Sequence, residues 1–359
     1  MKRVILCVTN DLENDQRVHR TATTLHEAGL AVMVCGRKIA QSSKFTRLYK
    51  IKRFRLPFNN SWMFYAVYNI RLFWFLLFTK CDFIFANDMD TLPAGWLAAR
   101  ICRKTLIFDS HELFSEVPEL QNRKKIKQFW SRLEDFLIPR VDFGITVCDP
   151  IANIYKEKYN INFRVIRNVP LKKESIKNPN SEKDLILYQG ALNKGRGLEL
   201  LVESLRYYPK AELIVAGRGD IEKEIKTLVT TLELTDRVSF LGHVPYDNLH
   251  TITATATVGV SIEEDMGLNY RFALPNKLFD YIQARVPSVV SNLPVMSKIV
   301  SDYDIGNILL NRTPQALAQA LMLVTKRRKE GYYTENLKIA AETLNWDNEK
   351  QKLLSIFVD

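Results

Sequence analysis

Short apolar runs rich in β-branched residues alternate along this chain with helix-length stretches, and they do so in two successive series. The first series has strand candidates at Val4–Val8, Ala31–Cys35, Phe83–Ala86, Thr105–Phe108 and Phe143–Val147. The second has Leu185–Tyr188, Glu212–Ala216, Val238–Leu241, Val258–Ser261, Ser288–Ser291 and Gly306–Leu310. Strands separated by helices cannot be joined as tight hairpins, so the pattern implies βαβ crossovers and parallel sheets. The polar stretch Lys172–Lys183 (KKESIKNPNSEK) divides the series. The expected organisation is therefore a first domain over 1–170, a linker over 171–183, a second domain over 184–343 and a closing segment over 344–359. Leu344–Val358 is helical in pattern, and its periodicity leaves open whether it packs on the second domain or back on the first. The fold class is α/β, with two Rossmann-like domains facing a central cleft, and ligands are expected just beyond the carboxyl ends of the strands.

With 359 residues, 47% of them hydrophobic and 25% charged, the chain can fill two cores. This composition excludes a disordered, collagenous or coiled-coil protein. Charge is unevenly divided. Residues 1–180 hold 30 Lys and Arg against 17 Asp and Glu, whereas residues 181–359 hold 21 against 23. The first half is thus expected to meet something anionic, such as a membrane surface or a phosphorylated acceptor. No nucleic-acid-binding module is recognisable, and nucleic acid is not an expected partner. Five scattered cysteines without a C-x-x-C pair read as reduced thiols.

The most apolar stretch is Trp62–Phe78 (WMFYAVYNIRLFWFLLF), interrupted by Asn69 and Arg71. It falls short of the ~20 apolar residues a membrane span needs and reads as a buried crossover helix. Two basic stretches flank it. Arg37–Arg55 has eight Lys and Arg and no acid, and Arg123–Arg140 places Ile126, Phe129, Trp130, Leu133 and Leu137 at helical spacing. Each suits either a solvated domain face or a surface laid on anionic lipid.

Polar residues at strand ends supply the candidate chemistry. Asp109, His111 and Glu112 follow Thr105–Phe108, and a histidine there can exchange protons near neutral pH. The segment Tyr188–Gly197 (YQGALNKGRG) leads from a strand into a helix, with glycines that let backbone N–H groups approach a phosphate and Lys194 or Arg196 to neutralise it. A similar turn, Ala216–Asp220 (AGRGD), follows the next strand. In Pro275–Tyr281 (PNKLFDY), Pro275 suits the first helical position, so Asn276 and Lys277 stand at a positive helix end. One turn on, Asp280 offers a carboxylate to a vicinal diol. Asp88-Met89-Asp90 matches D-x-D but reads as a cleft wall or cap in preference to a metal site. The P-loop, dinucleotide, G-x-S-x-G and H-E-x-x-H signatures are missing from the sequence.

In this order the motifs resemble those of the GT-B glycosyltransferases of family 4, the retaining nucleotide-sugar transferases. The segments that carry the resemblance are ANDMDTLPAG, FDSHELFSEVPEL and VIRNVP, then YQGALNKGRGLELLVESL, VSFLGHVPYDNL and ALPNKLFDYIQARVPSVVS. The resemblance implies that His111 is the cleft histidine contacting the transferred sugar and that Gly190 lies in the glycine loop under the diphosphate. It makes Arg196 the loop's cation, and Lys277 and Asp280 members of the donor helix, with Asp280 matching the second acid of an E-x7-E motif. Gly217 and Asn276 complete the donor side, and Asn10, Asp88 and Glu112 the acceptor side. The chain departs from the pattern where Phe272 stands in place of the first glutamate and Ala191 in place of the usual basic residue. Glu263, Glu264 or the Asn269–Arg271 loop is expected to replace the lost contacts.

The implied activity is transfer of a sugar from a UDP- or GDP-type donor to a glycan or lipid-linked acceptor, as in bacterial surface-polysaccharide synthesis. No metal or other cofactor is expected. The expected setting is the cytoplasm, with peripheral attachment to the inner face of the cell membrane left open. A nucleotide-sugar epimerase of similar build and a non-catalytic scaffold for a membrane or polyanion are the rival readings.

Overall fold

The computed structural model describes residues 1–358 apart from 14, 41, 43, 44, 59, 118, 119, 121, 122, 175 and 177–183. The chain divides into two compact units, Met1–Asn168 together with the segment from Glu349, and Val169–Asn348. Most of the expected linker, 171–183, lies outside the described residues.

The first unit is built on a parallel seven-stranded sheet of β1 (Arg3–Cys7), β2 (Ala31–Lys38), β3 (Lys50–Arg55), β4 (Phe83–Asn87), β5 (Thr105–Ser110), β6 (Phe143–Thr146) and β7 (Phe163–Val165), in the spatial order β3-β2-β1-β4-β5-β6-β7. β1 is an inner strand, with Val4 beside Val32 on one flank and Phe83 on the other. Covered on both faces, β1 and β4 read as unbroken apolar runs, RVILC and FIFAN. The second unit repeats the plan with six parallel strands: β8 (Asp184–Gln189), β9 (Ala211–Ala216), β10 (Val238–Gly242), β11 (Val258–Ser261), β12 (Ser288–Ser291) and β13 (Gly306–Leu309), in the order β10-β9-β8-β11-β12-β13. In each sheet the strand order reverses beside the first strand, at β1/β4 and at β8/β11. Chain ends diverge there and leave a crevice beyond the carboxyl ends of the strands.

Two strands, β3 and β7, lie outside the sequence expectation. β3 (KIKRFR) sits at the sheet edge, where charged side chains discourage pairing with another chain. Half of the basic stretch Arg37–Arg55 is therefore sheet, not a helix face. β7 is three residues long, too short to give a periodic signal.

The helix Ser61–Phe78 corrects a further expectation. Only Phe64, Tyr68, Leu72 and Leu76 are buried, a single i, i+4 stripe, while Trp62, Met63, Ile70, Trp74 and Phe78 are exposed. It packs by one face and leaves the opposite apolar face uncovered. Tyr68 fixes that orientation by donating its hydroxyl to the Val8 carbonyl under the sheet's carboxyl edge.

At the C-terminus the helix runs over Trp346–Leu354. Residues from Glu349 belong to the first unit: Lys2 Nζ donates to the Phe357 carbonyl at 3.0 Å, and the Phe357 ring lies 4.9 Å from that of Phe83. The five cysteines are all free thiols, and burial raises the pKa of Cys7 and Cys35.

The two faces of Ser61–Phe78 should respond differently to truncation. Leu72→Ala, at a fully buried site, is expected to cost about 2–5 kcal/mol. Trp74→Ala should stay within about 0.5 kcal/mol. Urea-denaturation midpoints of the two variants measure the difference.

Candidate active site

In the second unit the site grows from the loops after β8, β9 and β11 and from the start of the helix Asn276–Gln283. Gly190 leaves β8 with its N–H still bonded to the Ala216 carbonyl at 2.9 Å, then turns at φ +127°. Gly217, leaving β9 at φ +154°, passes so close that a Cβ there would stand 1.8 Å from the Gly190 carbonyl oxygen. The two glycine turns thus nest, and a side chain at 217 would force them apart.

Beneath Gly190 runs the Lys277 side chain, with Cε 3.5 Å from where a Cβ at 190 would lie. Its ammonium group sits 4.0 Å from the Tyr188 ring centroid and 3.0 Å from Glu263 Oε1. Glu263 follows β11, is fully buried, and accepts from Ser261 Oγ at 2.9 Å. Its Oε1 also faces Arg196 Nη1 at 3.6 Å. Burial alone would raise the Glu263 pKa. The charges of Lys277 and then Arg196 outweigh it and hold the carboxyl below its ordinary range. Two cations therefore converge on one carboxylate under a glycine turn, an arrangement that pre-orients positive charge toward an anion lying above the loop.

The helix holding Lys277 begins one residue later than the sequence suggested, because Pro275 occupies the cap. Asn276 is exposed as its first residue. One turn on, Asp280 accepts from Gln189 Nε2 at 2.9 Å, and Gln189 Oε1 accepts in turn from Thr253 Oγ1 at 2.8 Å. Asp280 adjoins a narrow hollow lined also by Lys173, Tyr246 and His250. Of the expected replacements for the missing glutamate, Glu263 joins the cluster. Glu264 instead pairs with Arg312 at 3.7 Å, and Arg271 with Asp265 at 2.8 Å.

The first unit has its own cluster beyond β1, β4 and β5. His111 Nδ1 lies 2.5 Å from Asp88 Oδ1, and Arg17 bridges Asp88 at 3.3 Å and Asp109 at 3.1 Å. Asp88 sits at φ +65°, a strained conformation that aims its carboxylate at both partners. Burial and the Arg17 charge oppose protonation of His111, but Asp88 outweighs them and raises its pKa. Burial likewise opposes ionisation of Asp88, yet His111 and Arg17 keep its pKa low. Asp90 is turned away, accepting from Thr9 Oγ1 at 2.5 Å. Desolvation, with the Asp88 charge beside it, lifts its pKa to about 7. The two carboxylates of the D-x-D thus serve different partners. Glu112 takes part through its charge, which helps to raise the His111 pKa, and through its carbonyl, which accepts from Ser110 Oγ at 2.8 Å. Asn10 lies apart from His111, bonded to Asp15 at 2.6 Å, and lines a groove of about 320 Å³ with Thr9, Arg37, Phe64 and Tyr65.

Sequence reasoning missed Arg17, Thr9 and Gln189 as site residues. Their partners lie far off along the chain, so only their positions just after β1 or at the end of β8 could have drawn attention.

Comparison with known proteins agrees with this architecture. Residues 171–341 match the family model described as glycosyl transferases group 1, and residues 15–170 match glycosyltransferase family 4. An uncharacterised glycosyltransferase of Methanocaldococcus jannaschii is 26% identical over 290 residues, 77% of this chain and 66% of that protein. An O-antigen chain mannosyltransferase of Salmonella typhimurium is 24% identical over 235 residues, 58% of this chain and 63% of that protein. The chain thus spans just under two thirds of the length of each of these curated relatives. The crystal structure of Anabaena HepE in complex with UDP-glucose is similar in fold, with a TM-score of 0.75 at 14% identity over the full length of both chains. With the two family models matching nearly the whole chain in succession, the chain belongs to the group 1, family 4 glycosyltransferases of GT-B fold.

Two measurements probe the clusters. Because the folded pKa of His111 is raised, its pairing with Asp88 contributes fully below the ordinary histidine pKa and fades as pH rises through the raised value. Asp88→Asn should lower the His111 pKa, since burial and Arg17 are then opposed only by the weaker pull of Glu112; an NMR titration of the imidazole reads this directly. In the second unit, Lys277→Met should cost about 3–5 kcal/mol by leaving Glu263 with a weaker partner. The double variant Lys277→Met/Glu263→Gln should recover most of that loss in a urea melt.

Proposed function

We propose that this chain transfers a sugar from a nucleoside diphosphate donor to a glycan or lipid-linked acceptor, with retention at the anomeric carbon. The observation that carries the reading is the convergence of Lys277 and Arg196 beneath the Gly190 turn, with Asp280 one helical turn further on. A diphosphate above the glycine loop would meet both cations and the positive end of the helix Asn276–Gln283, while Asp280 would accept from the ribose hydroxyls.

In the reaction the bond between the anomeric carbon and the phosphate oxygen breaks, and its electron pair leaves with the diphosphate. Lys277, Arg196 and the helix N-terminus stabilise that growing charge, the largest electrostatic demand of the step. The acceptor oxygen bonds to the same face of the anomeric carbon, and its proton passes to the departing phosphate oxygen. His111 orients the sugar through its hydroxyls. None of these steps draws on a metal ion. Synthesis of a cell-surface polysaccharide, on the cytoplasmic side of the membrane, is the setting this reading favours, in keeping with the named Salmonella relative.

The test pairs a panel of UDP- and GDP-sugars with thermal melts and mass spectrometry. A true donor at 100 times its Kd should stabilise the fold by about 2.7 kcal/mol. Arg196→Ala should lower acceptor-dependent nucleotide release about 100-fold. An altered nucleotide sugar formed without acceptor would replace this reading with epimerisation. A melt unmoved by every donor would replace it with a scaffold.

A further inference from the structure

We infer that the first unit docks on an anionic lipid bilayer through a face made by three of its helices, Ser61–Phe78, Leu92–Cys102 and Lys124–Leu137. This inference adds a surface to the membrane setting proposed above and stands on that surface, not on the transfer chemistry.

The helices are neighbours. The rings of Tyr65 and Trp130 meet edge to face at 5.7 Å, those of Trp96 and Phe136 at 5.2 Å, and the Cys102 thiol reaches the Leu77 carbonyl at 3.8 Å. Along the outer side run Trp62 (76% exposed), Ile70, Trp74 (53%), Phe78 (79%), Ile101 and Phe129 (60%). Trp74 and Phe78 stack on each other at 6.0 Å with their planes 10° apart, in open solvent. A globular helix normally turns polar residues outward, and Ser61–Phe78 instead stays apolar around its circumference, with a mean hydropathy of 1.2. At 18 residues it is also long enough to cross a bilayer, but Phe64, Tyr68, Leu72 and Leu76 are committed to the core. It can lie on a membrane without leaving the fold.

Charge selects the occupant. Ser61–Phe78 and Leu92–Cys102 contain Arg71 and Arg100 and no acid, while Lys124–Leu137 opens with Lys124 and Lys125, Lys127 being paired with Glu116 at 2.8 Å. On the edge strand β3, Lys52 faces the helix Ser61–Phe78, its ammonium 6.0 Å from the Phe75 ring centroid. The two acids of Lys124–Leu137 are withdrawn: Glu134 is buried and accepts from the Ser115 N–H, and Asp135 pairs with Lys158 at 2.8 Å. A second copy of the same face would set these cations against one another. Anionic headgroups complement them, while the tryptophans and phenylalanines suit the boundary between headgroups and acyl chains.

The experiment is vesicle flotation of the full chain without donor or acceptor, using phosphatidylcholine alone and phosphatidylcholine mixed with phosphatidylglycerol. The expected result is flotation with the anionic vesicles only, weakened by salt. Trp74→Gln/Phe78→Gln and Lys124→Glu/Lys125→Glu should each reduce it about tenfold or more, each lysine near the surface being worth about 1 kcal/mol. Circular dichroism should show both variants folded, and turnover of Trp74→Gln/Phe78→Gln on a soluble acceptor should match the parent. Failure to float with either vesicle, equal flotation of the variants, or a dimer abolished by Trp74→Gln/Phe78→Gln would each overturn the inference, whether or not the chain proves to be a transferase.

Discussion

A buried carboxylate held between two cations organises the second unit. Glu263 is closed off from bulk solvent, so it needs Lys277 at 3.0 Å and Arg196 at 3.6 Å to remain ionised. Those same contacts fix the two cations where the glycine turns approach them. The arrangement resolves a physical problem common to anion sites. Positive charge must be concentrated before the ligand arrives, yet unopposed cations repel one another and are costly to bury. A resident carboxylate offsets the two cations and lets them lie close together beside the glycine turn.

The first unit meets the same problem in reverse. There Arg17 gathers Asp88 and Asp109, and His111 completes the set by sharing Asp88. The pKa values move apart accordingly, with Asp88 held low and Asp90, a near neighbour in sequence, raised to about 7. Environment, not residue type, assigns these carboxylates their roles.

Much of this was legible in the sequence. The central strands announced themselves because parallel strands covered on both faces tolerate few polar residues, and the start of the helix Asn276–Gln283 because proline precedes it. What escaped depended on distance along the chain or on burial. Arg17 finds its partners 71 and 92 residues away. Glu263 was legible only as one of several candidates, because the acidic run EED does not tell which member the fold buries. β3 disguised itself as a basic tract because an edge strand displays charge where a central strand cannot. Ser61–Phe78 misled in the opposite sense: hydropathy reports that a helix avoids water but not which of its faces finds cover.

The last residues of the chain bear on how the protein is made. Phe357 is buried beside Phe83 and its carbonyl receives Lys2, so the core around β1 is closed by a segment that is translated only after the whole of the second unit. The N-terminal sheet can begin to form early but stays unsealed while some 180 intervening residues are translated. Nascent chains stalled before Glu349 would carry an open apolar edge near Phe83, and they are the form on which a chaperone would have most to grip.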